Sequence, residues 1–409
     1  MLHPKLGRLL NLVYYHAVLF GLMGATLEIR SYGKRVRLEK TTWLYLIYSF
    51  FISSFLLLNI FFMLPRALLD GYIKYNVILQ WNFFVMIGLR LLAILGCYGT
   101  IWLRRQDIIQ LTKDSLIYWK RYRKLLRLKV DKRELRELQL SLAKVMGQKV
   151  FVLYSTILCS TVVQFQLLSV INKHSLLALA ARLSHFLHFL AVKMGFCGLL
   201  LLLDHQFMVI HLALAALHKE KGRGKWKTLR TIARMHLETL QLARRVFRLY
   251  DLANATLFLN MFMTTVNILY HAVQYSNETI KSDGWGVIFG NGLIVFNVWG
   301  TFLLMNILDR VLSACNNVGE QLKDFSDIPK AKGRLQRELD DFALQLRRNH
   351  LVYKICGIVE LDKPAGLSYI GSILSQVIIL MQFDLNRQRQ PNYHHQYLTQ
   401  LVRNKTQAE

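Results

Sequence analysis

The sequence predicts an all-α membrane protein with seven transmembrane helices, a cytoplasmic N-terminus, an extracellular C-terminus and long cytoplasmic helical extensions. Three observations lead to this fold class. Hydrophobic residues make up 53% of the 409 residues and fall in runs of about 20, the length of helix that crosses a bilayer. Lys and Arg gather in alternate connections between these runs, and the longest connections keep a helical period. A soluble globular enzyme is therefore excluded.

The formal net charge is +27, from 52 Lys and Arg against 25 Asp and Glu. A charge of this size is typical of proteins that bind nucleic acid, but such proteins do not also carry several apolar runs of membrane-spanning length. We therefore expect no nucleic-acid partner. The lipid bilayer is the expected partner, and the charge is expected to set the orientation of the chain within it.

The first apolar stretch, Leu9–Leu27, is interrupted by His16. We interpret it as a helix that lies at the membrane interface or packs on the bundle. A signal peptide is the alternative, because Lys5 and Arg8 precede the stretch, but no small-residue cleavage site ends it. We expect an N-terminus that is not cleaved.

Seven later runs have the length and apolar character of membrane spans. In chain order they are Trp43–Leu64, Val77–Trp102, Val150–Ile171, His185–Leu203, Thr256–Tyr275, Gly286–Leu308 and Gly366–Phe383.

The positions of Lys and Arg orient these spans, because short connections rich in them stay in the cytoplasm. Of the 52 Lys and Arg, 41 lie before the first span and in the connections after spans two, four and six, whereas 9 lie in the other connections and the tail. The N-terminus is therefore expected inside and the C-terminus outside. This orientation is the reverse of that of a G-protein-coupled receptor.

Sequons and cysteines agree with the orientation. The sequons at Asn277 and Asn404 fall in segments that are expected outside, so both are candidate glycosylation sites. A third sequon, at Asn254, falls at the inner face of the membrane and is expected not to be glycosylated. The cysteines lie in expected spans or cytoplasmic segments, so we expect no extracellular disulfide. They are Cys97, Cys159, Cys197, Cys315 and Cys356.

The long cytoplasmic connections have apolar residues at steps of three and four, so each helix has one apolar face. The three stripes are Leu335, Leu339, Phe342 and Leu346; Leu135, Leu138 and Leu142; and Ile232, Leu240 and Val246. We expect these faces to bury one another, or another subunit, in a bundle that projects into the cytoplasm. The alternative is that the helices lie on anionic lipid, where a basic face gains about 1 kcal/mol per Lys or Arg near the surface.

The last span reads Ser375-Gln376-Val377-Ile378-Ile379-Leu380-Met381-Gln382-Phe383. With seven spans, an inverted orientation and long cytoplasmic helices, the chain resembles the insect gustatory receptors, which carry Thr-Tyr, five hydrophobic residues and Gln-Phe in the seventh span. The second half of this motif matches fully. In the first half Ser375 keeps the hydroxyl group, whereas Gln376 lacks the aromatic ring of the family's tyrosine. The resemblance covers the whole chain in architecture and the last span in residues.

The resemblance implies a ligand-gated, non-selective cation channel in the plasma membrane of a sensory neuron, with a dendritic location. It implies a homo- or heterotetramer with other gustatory receptor subunits, in which the seventh helix of each subunit lines a shared pore. Residues 1–362 then form the N-terminal interfacial helix, the six-span ligand-sensing bundle and the cytoplasmic bundle. Residues 363–384 form the pore-lining span, and residues 385–409 form an extracellular tail.

The expected pore-lining residues are Ser375, Ile379, Gln382, Phe383 and Asp384. A ring of Gln382 amides can replace part of the hydration shell of an ion, Ile379 and Phe383 can close the pore by dewetting, and Asp384 carboxylates would attract cations. The alternative role of Gln382 is a hydrogen bond to a neighbouring helix, which is common in membranes.

The resemblance also implies a ligand pocket for a small-molecule tastant that opens outward within the first six spans. Arg90 and Lys193 are candidates because charges inside spans require water or a partner. Aromatic and imidazole side chains complete the candidate set: Trp81, His185, His188, Tyr275 and Trp299. Packing within the bundle is the alternative role of these rings.

A G-protein-coupled receptor or a secondary transporter of atypical sequence is the alternative function. The charge distribution argues against the receptor, and the absence of repeated, Gly- or Pro-interrupted halves argues against the transporter. No phosphate loop or nucleophile and base pair is recognisable, so we expect no enzyme, no cofactor and no metal. Whether the tastant is bitter, a sugar or another compound is left open.

Overall fold

The computed structural model of the chain describes residues 3–23, 26–29, 36–39, 43–63, 77–170, 176–220, 225–276, 284–325, 333–361 and 363–406. Seven apolar helices correspond to the seven predicted spans. They are α2 (Trp43–Leu58), α3 (Val77–Leu103), α5 (Lys132–Val170), α6 (Leu176–Lys219), α7 (Lys225–Ser276), α8 (Gly284–Asn316) and α11 (Lys363–Thr406). Within the described residues, six are long and apolar enough to cross a membrane, and α2 is a shorter apolar helix. The predicted fold class is confirmed.

The first span is shorter than the predicted Trp43–Leu64. The helix α2 ends at Leu58, and a single 3₁₀ turn, Phe61–Met63, follows it. Conversely, α5, α6 and α7 contain 39, 44 and 52 residues. At 1.5 Å per residue they are about 58 to 78 Å long, roughly twice the thickness of a hydrocarbon core. These three helices therefore continue well beyond the bilayer.

The N-terminal helix α1 (Pro4–Leu19) packs on the bundle. Leu6 and Val13 are buried in the main hydrophobic core, where α1 contacts α5 and α6. The prediction that this helix continues to Leu27 is wrong. The chain reverses at Gly21, which has φ +67° and lies so close to α2 that a Cβ there would come within 2.7 Å of the Ser49 backbone. A residue with a side chain would be strained in that conformation.

An antiparallel ribbon follows α1. Strand β1 (Thr26–Ile29) pairs with β2 (Val36–Glu39), with Thr26 opposite Glu39. A second, two-residue ribbon joins β3 (Lys354–Ile355) to β4 (Val359–Glu360) before α11.

Three further helices among the described residues pack against the extended halves of the spans. They are α4 (Arg105–Lys129), α9 (Val318–Lys323) and α10 (Gly333–Arg348). Both α4 and α10 contact α7. All three predicted apolar stripes join the same core: Leu142, Ile232, Leu240, Val246, Leu339 and Phe342 are buried in it, and Leu135, Leu138, Leu335 and Leu346 pack against it. The stripes therefore bury one another within the chain.

The last helix, α11, lies against α7 and α8. Its inner face presents Ile373, Val377 and Leu380, which form a buried cluster with Val266 and Tyr270 of α7. The helix continues to Thr406, so most of the predicted tail is helical. The residues of α11 at 375, 379, 382 and 383 are thereby turned away from the chain's own bundle.

Candidate functional site

A cavity opens where five helices converge. The space inside it that is open to the centres of water-sized spheres is about 40 Å³. Every wall residue belongs to α3, α5, α6, α7 or α8: Arg90, Leu153, Thr156, Ile157, Phe186, Phe189, Leu190, Lys193, Asn260, Met261, Thr264 and Asn297. A concave site with an apolar wall and a few convergent polar groups is the usual form of a small-molecule site.

Arg90 is the central residue of the 27-residue helix α3 and is 5% exposed. Its guanidinium lies over the ring of Phe186, 5.6 Å from the ring centroid. Lys193 lies in the same wall on α6. The structure therefore brings together both charged residues that were predicted as pocket residues.

Polar atoms on α7 also face this space. Asn260 is 5% exposed, and neither its Oδ1 nor the Oγ1 of Thr264 has a hydrogen-bond partner among the described residues. The two residues are four apart and thus lie on one helix face. They provide hydrogen-bond acceptors in a wall that also carries the two cations and several aliphatic and aromatic side chains.

Two further cations lie behind the wall. The guanidinium of Arg182 is buried and donates to Gln164 Oε1, and it interacts electrostatically with Arg90. The ammonium of Lys149 donates to the Gly300 carbonyl at 2.5 Å and interacts with Lys193. Arg182 lies inside α6, although it precedes the predicted fourth span, His185–Leu203. The apolar run Leu176–Ala181 was the signal that the helix starts earlier.

The two predicted histidines lie outside the wall. His185 Nε2 pairs with the Leu56 carbonyl at 2.7 Å. His188 stacks on Tyr98, with ring centroids 5.2 Å apart, and meets the edge of Phe20. Both imidazoles are fully buried, and their different neighbours show that they pack α6 against α2, α3 and the end of α1.

The predicted aromatic pocket residues also lie elsewhere. Trp81 is 66% exposed on α3, and Trp299 is 41% exposed on α8, where it stacks on Phe296. Both rings face outward, as expected of aromatic residues in contact with lipid. Tyr275 lies in α7, but its side chain is outside the described residues.

The predicted pore residues separate into two faces of α11. Ser375, Ile379, Gln382 and Phe383 are exposed and recur at steps of four and three, so they form one stripe. Phe383 is 63% exposed. Asp384, by contrast, is 8% exposed and lies on the opposite side of the helix, toward the chain's own bundle.

The sequons differ in accessibility. Asn254 is 4% exposed, and its Nδ2 donates to Tyr353 Oη at 2.8 Å, so a glycan there is incompatible with the fold. Asn277 lies outside the described residues, directly after the end of α7, and the side chain of Asn404 is likewise not described.

Comparisons with known proteins give a consistent result. The sequence profile of the 7tm chemosensory receptor family matches residues 10–387. Gustatory receptor 58b of Drosophila melanogaster is 65% identical over 408 residues and the full length of both chains. Gustatory receptor 58a of the same organism is 29% identical over 395 residues, which cover 92% of this chain and 98% of the relative.

A solved structure has a similar fold. The olfactory receptor OR5 of Machilis hrabei, determined in complex with eugenol, superposes with a TM-score of 0.66 and 14% identity, covering 92% of this chain and 98% of the olfactory receptor.

Proposed function

Because the chain belongs to the insect gustatory receptor family, we propose that it is a ligand-gated, non-selective cation channel that opens when a tastant binds. As a member of that family it is a multi-pass chemosensory receptor of the sensory neuron membrane and not an enzyme. The channel activity and the assembly of four subunits, identical or mixed, are the proposed part.

The observation that carries the proposal is the exposed stripe on α11. Ser375 and Gln382 place polar groups on a face of an apolar helix that does not contact the chain's own bundle. Polar groups that face lipid are costly, whereas the same groups around a shared aqueous conduit are hydrated. Four copies of the stripe would line such a conduit with Gln382 amides, and Phe383 and Ile379 would provide the apolar constriction. Asp384 is not part of this proposal, since it lies on the buried face.

The cavity is the proposed ligand site, and α7 connects it to the pore helix. Asn260 and Thr264 of α7 line the cavity. Val266, two residues further along the same helix, packs against α11 in the cluster with Val377. A ligand that shifts α7 therefore acts directly on the helix that carries the stripe. A rigid helix that moves between two packed positions is an established way to couple two sites.

The experiment has two steps. Tastants are first screened by calcium imaging in cells that express the chain alone or with other gustatory receptor subunits. The bi-ionic reversal potential of the evoked current is then measured for the wild type and Gln382→Glu. We expect Gln382→Glu to raise divalent permeation or block, because a ring of carboxylates binds a doubly charged ion more strongly.

Leu374→Ala is the matched control, since Leu374 is 51% exposed on the same helix but lies off the stripe. An unchanged reversal potential in Gln382→Glu, with the protein present at the surface, would exclude the stripe from the pore. Epitope tags on the two termini separate this function from a G-protein-coupled receptor, because the proposal requires only the C-terminal tag to be stained on intact cells.

A further inference from the structure

We infer that the cavity binds an organic anion, specifically a small monocarboxylate with an apolar or aromatic body, whose carboxylate lies between Arg90 and Lys193. The inference rests on the proposed function, because it takes the cavity as the ligand site. It adds the chemical class of the ligand, which neither the family nor the motif of the seventh span specifies.

The charged side chains in and around the cavity are all cationic. Two cationic side chains, Arg90 and Lys193, belong to the wall, and no Asp or Glu is among its residues. The described parts of the spans around it contain no acidic residue either: 77–103, 150–170, 176–203, 252–276 and 284–308. With Lys149 and Arg182 buried behind the wall, the surroundings of the cavity are strongly positive.

Positive charge in a low-dielectric site favours a ligand of opposite sign and disfavours one of the same sign. A guanidinium can bind a carboxylate with two parallel hydrogen bonds, and an ammonium adds a further charged donor. A protonated amine, such as that of most alkaloids, would meet two like charges in this cavity. The charge distribution therefore argues against a cationic ligand.

Much of the rest of the wall is apolar. Phe186, Phe189, Leu190 and Met261 provide apolar side chains in the wall, with which an inorganic anion makes no favourable contact. The ring of Phe186 already holds the guanidinium of Arg90 in place. The apolar surface next to the two cations fits the hydrocarbon part of an organic acid.

A hydrogen-bond acceptor on α7 also lines the cavity. Asn260 is nine-tenths buried, and its Oδ1 has no hydrogen-bond partner among the described residues. A buried acceptor of this kind is costly unless the ligand donates to it. A hydroxyl group on the body of the ligand would satisfy it. The geometry thus favours a hydroxylated acid over a fully apolar one.

The test uses three probes with the same ring and hydroxyl: 4-hydroxybenzoate, its methyl ester and 4-hydroxybenzylamine. Their affinities are measured by calorimetry on the purified full-length protein in lipid nanodiscs. We expect the carboxylate to bind about 10- to 100-fold more tightly than the ester, which is the factor that a charge-assisted hydrogen bond contributes. The amine should not bind detectably. Equal affinities for carboxylate and ester, preferred binding of the amine, or no binding of the carboxylate would each overturn the inference.

Substitutions of the two cationic wall residues test whether they bind the carboxylate. Arg90→Gln and Lys193→Gln should each weaken binding of the carboxylate about tenfold or more and leave binding of the ester nearly unchanged. Arg90→Lys keeps the charge and should retain more of the affinity than Arg90→Gln, which also guards against a variant that folds poorly. Arg133→Gln is the control, because Arg133 is 86% exposed on the distant part of α5. Equal losses for carboxylate and ester in both Gln variants would contradict a role for the charges.

The binding measurements test the ligand class separately from the proposed channel activity. Binding of the carboxylate without an evoked current would support the ligand class and count against the channel. A current evoked by a neutral tastant and altered by Gln382→Glu, without binding of the carboxylate, would support the channel and refute the ligand class.

Discussion

Arg310 Nη2 of α8 lies 2.7 Å from Asp204 Oδ2 of α6. Asp204 directly follows the predicted fourth span and Arg310 lies two residues after the predicted sixth span; they are 106 positions apart in the chain. The side chain of Asp204 is 2% exposed and that of Arg310 is 31% exposed. This ion pair therefore joins α6 to α8 just beyond the predicted spans of both helices.

We expect the loss of Arg310 alone to lower the stability of the protein more than the loss of both charges of this ion pair. Arg310→Met leaves the buried Asp204 carboxylate without its cation and should lower stability by about 3 kcal/mol. The double variant Asp204→Asn with Arg310→Met should recover part of that loss, since no buried charge remains. Thermal unfolding of the purified protein measures both. Arg133→Gln breaks an exposed pair with Glu137 and should cost at most about 0.5 kcal/mol. A double variant less stable than Arg310→Met alone would contradict this account.

The packing of α10 predicts a second stability difference. Phe342 is 1% exposed and meets the edge of His236, with ring centroids 5.8 Å apart. Phe342→Ala should destabilise the protein by about 3–5 kcal/mol through lost burial and the cavity left behind. On the same helix Leu344 is 47% exposed, and Leu344→Ala should change stability by about 0.5 kcal/mol or less. Thermal unfolding in detergent distinguishes the two. Equal, small effects would favour the alternative in which this helix lies on lipid.

Glycosylation tests the orientation. Asn277→Gln should remove a mobility shift that a glycosidase also removes, because this sequon faces the lumen during synthesis in the predicted orientation. Asn254→Gln should leave the shift unchanged, since Asn254 is buried against Tyr353. Electrophoresis of the two variants with and without glycosidase provides the measurement. A glycan on Asn254 would reverse the orientation that the Lys and Arg distribution assigns.

Phe383, at the apolar end of the stripe, is expected to affect the opening of the channel. If Phe383 closes the conduit against its copies in the other subunits, Phe383→Ala removes apolar contact that stabilises the closed state. The loss of on the order of 1.4 kcal/mol would raise the open fraction without ligand about tenfold. Whole-cell current in the absence of tastant measures this fraction, with Leu374→Ala as the control. Identical resting currents in the wild type and Phe383→Ala would remove Phe383 from the gate.

Several features of the fold follow from the sequence alone. The number of spans follows from runs of apolar residues, and the stripes of α5, α7 and α10 follow from their helical period. These are local properties, because the cost of placing a side chain in lipid and the direction in which it points depend on the residue and its near neighbours. The apolar pattern does not predict the end of a helix when that end depends on the backbone conformation of one residue. Gly21 ends α1 eight residues before the predicted end.

Only the tertiary structure decided which faces meet. The cavity takes its wall from five helices, and Asn260 and Phe186 were not predicted as wall residues because each is one polar or aromatic residue within an apolar run. Histidines on α6 pack against other helices, and Asp384 turns toward the bundle although Phe383 beside it does not. The physical reason is that helix contacts depend on how ridges of one helix fit the grooves of another. Through that fit, residues a hundred positions apart become neighbours, as Asp204 and Arg310 do. The sequence around each residue does not indicate the contact.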